Sequence, residues 1–228
     1  MRKEEAKDLA QAAIARAAKV GASYAEARVQ RTWERQFVLK NGESQPSFFA
    51  EGYGIGIRVI AGGALGFSAT NDMSRASVNA AAESAVKLAK AASNMVAKPV
   101  VLDDSKPAKK RWAPPEKTKV EDADSAWLRS VLLDIEGRIS GKKAGVKLPG
   151  RLMFLGAELE ERYYVNSDGA RVEGRLPRVA FFASLTAMEG GSTAQRFIQQ
   201  GETGGLEVVK RVGLVEKVEE EARTMGKV

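Results

Sequence analysis

The sequence predicts an α+β fold in which antiparallel strand meanders are backed by helices, with the order helix, strands, helix appearing twice. Three observations carry this reading. Apolar residues recur at helical spacing near the N-terminus (Ala6, Leu9, Ala10, Ala13, Ile14, Ala17) and then give way to alternation from Ala25 to Leu39. Tight-turn pairs, Asn41-Gly42, Gly62-Gly63 and Gly190-Gly191, join the alternating runs directly, whereas a parallel pair needs a long crossover. The second half repeats the order of the first, with no residue-level repeat beneath it.

The first helix spans about 4–20, and Gly21 stands where its C-terminal cap belongs. In the strand that follows, Ala25, Ala27, Val29, Trp33, Phe37 and Leu39 share one face, which Arg31 and Arg35 interrupt. After the Asn41-Gly42 turn, a strand runs from about Ser47 through Tyr53, Ile55, Ile57 and Val59, and a shorter one holds Leu65 and Phe67. Thr70, Asn71, Asp72 and Ser74 are N-cap candidates for a helix whose inward stripe is Val78, Ala82, Ala85, Leu88, Ala89 and Ala92. Asp122 or Asp124 caps the next helix, with Leu128, Val131, Leu132, Ile135 and Ile139 inward. Two long alternating runs meet at Asn166-Ser167-Asp168-Gly169, a third strand covers about 192–200, and one closing helix begins at Gly204-Gly205. Its stripe is Val208, Val212, Val215, Val218 and Ala222.

Composition divides the chain into a unit at 1–97, a connector at 98–120 and a second unit at 121–228. The connector holds seven basic and three acidic residues, Asp104 among the latter, and four of the seven prolines. It therefore reads as an exposed, solvated basic link carrying much of the chain's net charge of +7. There is no cysteine and no histidine. Disulfides, thiolate nucleophiles, Ser-His-Asp arrays and His-ligated metals are thereby excluded within this sequence. The start Met1-Arg2-Lys3-Glu4-Glu5 is charged where a signal peptide would be apolar, so a cytoplasmic location without membrane contact is expected.

Several clusters have a bland and a functional reading. Gly52, Gly54 and Gly56 alternate within a strand and lack the strand–helix setting of a dinucleotide loop; they flatten one face for close approach. Gly201 to Gly205 precede a helix, where exposed amides can hold an anion. Glu158, Glu160 and Glu161 form a carboxylate-rich strand, with the first two on one face. Arg171, Arg175, Arg178 and Arg196 fall near Phe181, Phe182 and Phe197, a combination suited to gripping an extended peptide or single-stranded nucleic acid.

The order and spacing of Ser23-Tyr24-Ala25-Glu26-Ala27-Arg28, Val38-Leu39-Lys40-Asn41-Gly42, Gly54-Ile55-Gly56-Ile57-Arg58-Val59, Gly66-Phe67-Ser68-Ala69-Thr70, Asn166-Ser167-Asp168-Gly169 and Gly204-Gly205 resemble the N-terminal half of the TldD/PmbA family, modulators of DNA gyrase regarded as zinc metallopeptidases. The family's zinc motif, H-E-x-x-x-H, lies in a C-terminal half, and this sequence, which ends at Val228, has no histidine. The resemblance thus implies a non-catalytic domain for substrate access and dimerisation, with zinc expected only in that other half. Gly54, Gly56, Arg58, Arg171, Arg175, Arg178 and Arg196 are the candidate peptide or partner contacts, and Asn166, Ser167, Asp168 and Gly169 the family turn. Expected partners are a second copy or a paralogous family subunit, and a peptide substrate in the full-length enzyme. A nucleic-acid or gyrase-directed module is the alternative. Leu206, Val209, Leu214 and Met225 fall off the closing helix's stripe, so that segment is expected to expose apolar surface and to lie at a self-association contact.

Overall fold

The computed structural model describes residues 3–103, 106–141 and 143–226. Met1, Arg2, Asp104 and Val228 lie outside the described residues. The elements in order are α1 (Lys3–Lys19), β1 (Tyr24–Lys40), β2 (Glu43–Ser44), β3 (Phe48–Ala61), β4 (Ala64–Thr70), α2 (Arg75–Ala92), β5 (Lys109–Trp112), α3 (Ser125–Ile139), β6 (Gly150–Asn166), β7 (Arg171–Glu189), β8 (Ser192–Thr203), α4 (Val208–Arg211) and α5 (Leu214–Met225). The strands form one sheet in the order β4-β3-β1-β6-β7-β5, with β2 on β1 and β8 on β7. This is the expected α+β class. The Asn41-Gly42 turn forms because both residues take positive φ (53° and 85°), the twist a two-residue hairpin demands.

The compact units do not follow the chain order expected of 1–97, 98–120 and 121–228. Unit 1 comprises 1–32, 52–113 and 160–175; unit 2 comprises 33–51, 114–159 and 176–228. The reason is strand length. β1, β6 and β7 have 17, 17 and 19 residues, far beyond the usual ~5–6. Each therefore runs through both units, so chain order and compactness part company. The connector also departs from a solvated link. Lys109–Trp112 pairs in parallel with Arg171–Gly174, unlike the antiparallel pairings of β1 with β2, β3 with β4 and β7 with β8. Val120, at its end, is fully buried.

In unit 1, α1 and α2 bring Leu9, Ala10, Ala13, Ala17, Val78, Ala82, Ala85 and Ala89 against Ala25, Ala27, Val29, Ile55, Ile57 and Val59. Ser74 caps α2 by accepting from the Ser77 amide at 3.2 Å, and Asp72 accepts from the Ser74 amide at 2.9 Å. Lys90 reaches back to the Val20 carbonyl at 2.9 Å. Leu88, expected inward, is half exposed; Ala81 and Val86 take its place. The small-residue face of α2 goes inward because its backbone lies on Gly66, where an added Cβ would stand 2.0 Å from the Ala85 carbonyl oxygen.

In unit 2, Leu128, Leu132, Ile135 and Ile139 of α3 pack with Met153, Leu155, Ala157 and Leu159 of β6 and with inward residues of β7. Asp124 is the N-cap of α3, accepting from the Trp127 amide at 2.6 Å. The single closing helix expected from the sequence is two, because Gly213 adopts a left-handed φ of 61° between α4 and α5. The break changes the face that α5 turns inward, and Leu206, Val209, Leu214 and Met225 are all buried. The expected exposed apolar patch at 206–225 does not exist. Among the described residues, no helix is long and apolar enough to cross a membrane.

Candidate functional site

Strand alternation sends even-numbered residues of β1, β3 and β6 in unit 1 to the face opposite the buried odd-numbered ones. There Glu26, Arg28, Gln30 and Thr32 of β1, Gly52, Gly54, Gly56 and Arg58 of β3, Phe67 and Ala69 of β4, and Tyr164 of β6 line an open groove of about 840 Å³. The glycines have local reasons. A Cβ on Gly56 would meet the Phe67 ring at 3.3 Å, and one on Gly52 would meet the Thr32 hydroxyl at 3.1 Å. Gly54 is less constrained, its added Cβ meeting only the Thr70 carbonyl at 3.4 Å. The nucleotide-loop reading of these glycines fails because they remain inside a strand.

One end of the groove is a polar network around Glu26. Tyr24 and Tyr164 donate their hydroxyls to Glu26 Oε2 at 2.7 and 2.9 Å, and Arg58 pairs with Oε1 at 2.6 Å. Asn166 donates to the Tyr24 hydroxyl at 3.3 Å. Burial, reinforced by hydrogen bonding to Glu26, raises both phenol pKa values, so both remain neutral donors. The turn Asn166-Ser167-Asp168-Gly169 locks onto β1: the Ser167 amide donates to the Ala25 carbonyl at 2.8 Å, and the Ala25 amide to Ser167 Oγ at 3.2 Å. Within the turn, Asn166 Oδ1 accepts from the Ala170 amide at 2.8 Å, and Gly169 supplies a φ of 98°.

Of the candidate contacts, Gly54, Gly56 and Arg58 share this groove. The four later arginines do not form a cluster. Arg171 is exposed at the start of β7, its amide bonded to the Ala108 carbonyl. Arg175 faces inward in unit 1 and pairs with Glu161 at 3.4 Å. Arg178 lies in unit 2, 3.9 Å from Glu158, and Arg196 pairs with Glu221 of α5 at 2.9 Å. Arg175, Arg178 and Arg196 each answer a neighbouring carboxylate instead of a common ligand. Tyr24 and Glu26 entered the sequence reading only as part of a family motif, and Tyr164 not at all, although Tyr24 and Glu26 share a strand face. What brings them to Tyr164 is the adjacency of β1 and β6, which no local pattern encodes.

The anion reading of 201–205 also resolves within the chain. Glu207 accepts from the Thr118 amide at 3.0 Å and the Gly205 amide at 3.2 Å, so the loop's anion is its own side chain. Partial burial opposes ionisation, but backbone donors at Thr118, Lys117, Glu207 and Gly205 win and hold its pKa at about 2. A depressed carboxylate stabilises the fold above its ordinary pKa and loses that contribution as pH falls through the folded value. Glu207→Gln should therefore lower the melting temperature at pH 7 and flatten its fall between about pH 4.5 and pH 2. Thermal melts across that range check both, and an unchanged acid slope would refute the assignment.

Two family models match this chain: PmbA/TldA metallopeptidase domain 1 over residues 25–89, and the PmbA/TldA metallopeptidase central domain over 110–225. The chain belongs to the PmbA/TldD metallopeptidase family. A metalloprotease of Methanocaldococcus jannaschii is 22% identical over 169 residues, covering 74% of this chain and 37% of that protein. A candidate modulator of DNA gyrase from Bacteroides thetaiotaomicron superposes with a TM-score of 0.79 at 18% identity, over 97% of this chain and 50% of its own. TldE from Thermococcus kodakarensis gives 0.68 at 19% identity, over 94% and 47%. The fold is thus that of these structures, and the chain spans about half their length or less. Its own residues do not suit a zinc ion as the metal of the metallopeptidase the family name implies. The sequence holds no His or Cys, and among the described residues no three carboxylates converge as ligands.

Proposed function

We propose that this chain is the non-catalytic half of a PmbA/TldD-type metallopeptidase acting on extended or unfolded peptides, serving substrate access and the association of family subunits, with zinc held outside these residues. The observation that carries the reading is the helix-free groove of unit 1. It offers a glycine-floored channel, the exposed Phe67 ring and the Glu26–Tyr24–Tyr164–Arg58 network as fixed polar contacts. An extended main chain needs such a flat approach more than deep side-chain pockets.

A second reading, nucleic-acid binding, is favoured by the net charge of +7 and by Arg28 and Arg58 in the same groove. One titration separates the two. A labelled unstructured peptide and a single-stranded oligonucleotide are followed by anisotropy at two salt concentrations. Peptide binding should vary little with salt and fall about tenfold in Gly54→Val, whose Cβ the fold accommodates. Oligonucleotide binding that collapses with salt, without peptide binding, would replace the first reading by the second. Elemental analysis of the same dialysed protein should find no stoichiometric zinc.

A further inference from the structure

The helix-bearing side of unit 1 holds a feature that the groove does not use. Arg31 interrupts the apolar face of β1, and its position in the fold gives a reason. Arg31, Glu161 and Arg175 occupy inward positions on the neighbouring strands β1, β6 and β7. Arg31 Nη1 donates to Glu161 Oε2 at 3.1 Å and Arg175 Nη1 to Glu161 Oε1 at 3.4 Å. On the same face Val29, beside Arg31, is buried, while Tyr163 beside Glu161 and Glu173 beside Arg175 are half-buried. The side chains of Arg31, Glu161 and Arg175 keep 28%, 40% and 21% of their exposure, so the array is only partly buried and its ion pairs add little to stability where aliphatic residues would pack. Departures of this kind mark places where function overrides packing.

The same three residues line a recess of about 160 Å³ together with Val29, Tyr53, Tyr163 and Trp112, and with Glu173, whose carboxylate is answered by Lys7 at 2.8 Å. That volume matches an apolar cavity able to hold one benzene ring. The Arg31 guanidinium stands 5.7 Å from the Tyr53 ring centre, within cation–π range. Arg31 and Arg175 make further contacts besides Glu161. A guanidinium nonetheless has five N–H donors in a fixed fork, well matched to a second carboxylate. Aromatic walls over a guanidinium floor, with the half-exposed Trp112 at the side, describe a site for a ring and an adjoining anionic group.

We propose that this recess binds an aromatic residue bearing a free α-carboxylate: the ring among Tyr53, Tyr163 and Trp112, the carboxylate on Arg31 and Arg175. A free aromatic amino acid and the C-terminal residue of a peptide share that chemistry. The recess and the groove have only Tyr53 in common among their lining residues, so this assignment stands whether or not the groove binds peptides.

Calorimetry with the whole chain tests it, using L-phenylalanine, the tripeptide Ala-Ala-Phe and its C-terminal amide as probes. At least one carboxylate probe should bind with saturation below about 1 mM, and the amide at least tenfold more weakly. Tighter binding of the tripeptide identifies a peptide C-terminus as the ligand, and tighter binding of phenylalanine the free amino acid. Arg175→Gln should weaken binding about tenfold. Trp112→Ala, in the exposed strand β5 and outside the ion array, should do so with the fold intact, and it keeps the test valid if Arg175→Gln unfolds. No binding of either carboxylate probe, equal binding of the amide, or wild-type affinity in Trp112→Ala would overturn the assignment.

Discussion

Gly66→Ala should lower the melting temperature by about 10 °C, the equivalent of about 3 kcal/mol in a chain of this size. The new Cβ would stand 2.0 Å from the Ala85 carbonyl oxygen, 2.8 Å from the Ala89 amide nitrogen and 2.9 Å from the Ala89 Cβ. Two of those atoms are backbone, so no side-chain rotation relieves the clash, and α2 must lift off β4. Lifting it breaks the close alanine packing of Ala82, Ala85 and Ala89. Hydrogen exchange should accelerate in α2 and β4 while α3 and α5 of unit 2 keep their protection. Gly137→Ala is the matched control. Gly137 is an exposed helical residue whose added Cβ would meet nothing within 4 Å. Alanine there should be neutral or stabilising by up to about 1 kcal/mol. A Gly66→Ala protein that melts with the wild type would mean that α2 does not lie on β4 as described.

What the sequence displayed and what it hid follow from the range of the interactions involved. The alternation of Ala25, Ala27 and Val29, the Asn41-Gly42 turn and the Ser74 cap are set by residues a few positions apart, and each stands where local chemistry puts it. β5 was hidden because Lys109–Trp112, in a Pro-rich basic stretch, has no strand pattern; its conformation comes from pairing with β7. The break before α5 was hidden for another reason. A glycine inside a helical run costs only about 1 kcal/mol, so Gly213 alone does not announce a left-handed turn. Reading one helix from Gly204-Gly205 onward set Leu214 and Met225 off its stripe, and the apolar surface deduced from it vanished with the break.

The candidate sites divide in the same way. Gly54, Gly56 and Arg58 were legible because one strand places them on one face. The carboxylate they sit beside, Glu26, gains its meaning from Tyr164, which lies 138 positions away. Arginines counted near aromatics in sequence proved to be scattered, because alternate residues of β7 point to opposite faces: Arg175 pairs inward with Glu161, Arg178 outward with Glu158.

Glu136→Ala should cost about 3–5 kcal/mol, enough to consume much of the stability of an ordinary domain. Glu136 is the one buried charged side chain among the described residues, and it faces Arg151 across unit 2. Arg151 Nε donates to both its oxygens at 3.0 and 3.1 Å, and Nη2 to Oε1 at 2.6 Å. Arg151 Nη1 also donates to the Leu148 carbonyl. The pair further anchors the first hairpin: the Arg151 amide donates to Asn41 Oδ1 and the Asn41 amide to the Arg151 carbonyl, both at 2.8 Å. Removing the carboxylate leaves a guanidinium with a side-chain exposure of only 14% and no counter-charge from Glu136, and that desolvated cation is the main source of the loss. The double replacement Glu136→Met with Arg151→Met should therefore recover most of it, since two apolar side chains of similar length remove the stranded charge along with the pair. Chemical denaturation of Glu136→Met, Arg151→Met and the double variant measures the coupling directly. If Glu136→Ala and the double variant are equally unstable, the penalty lies in lost packing or hairpin anchoring instead of in the buried charge.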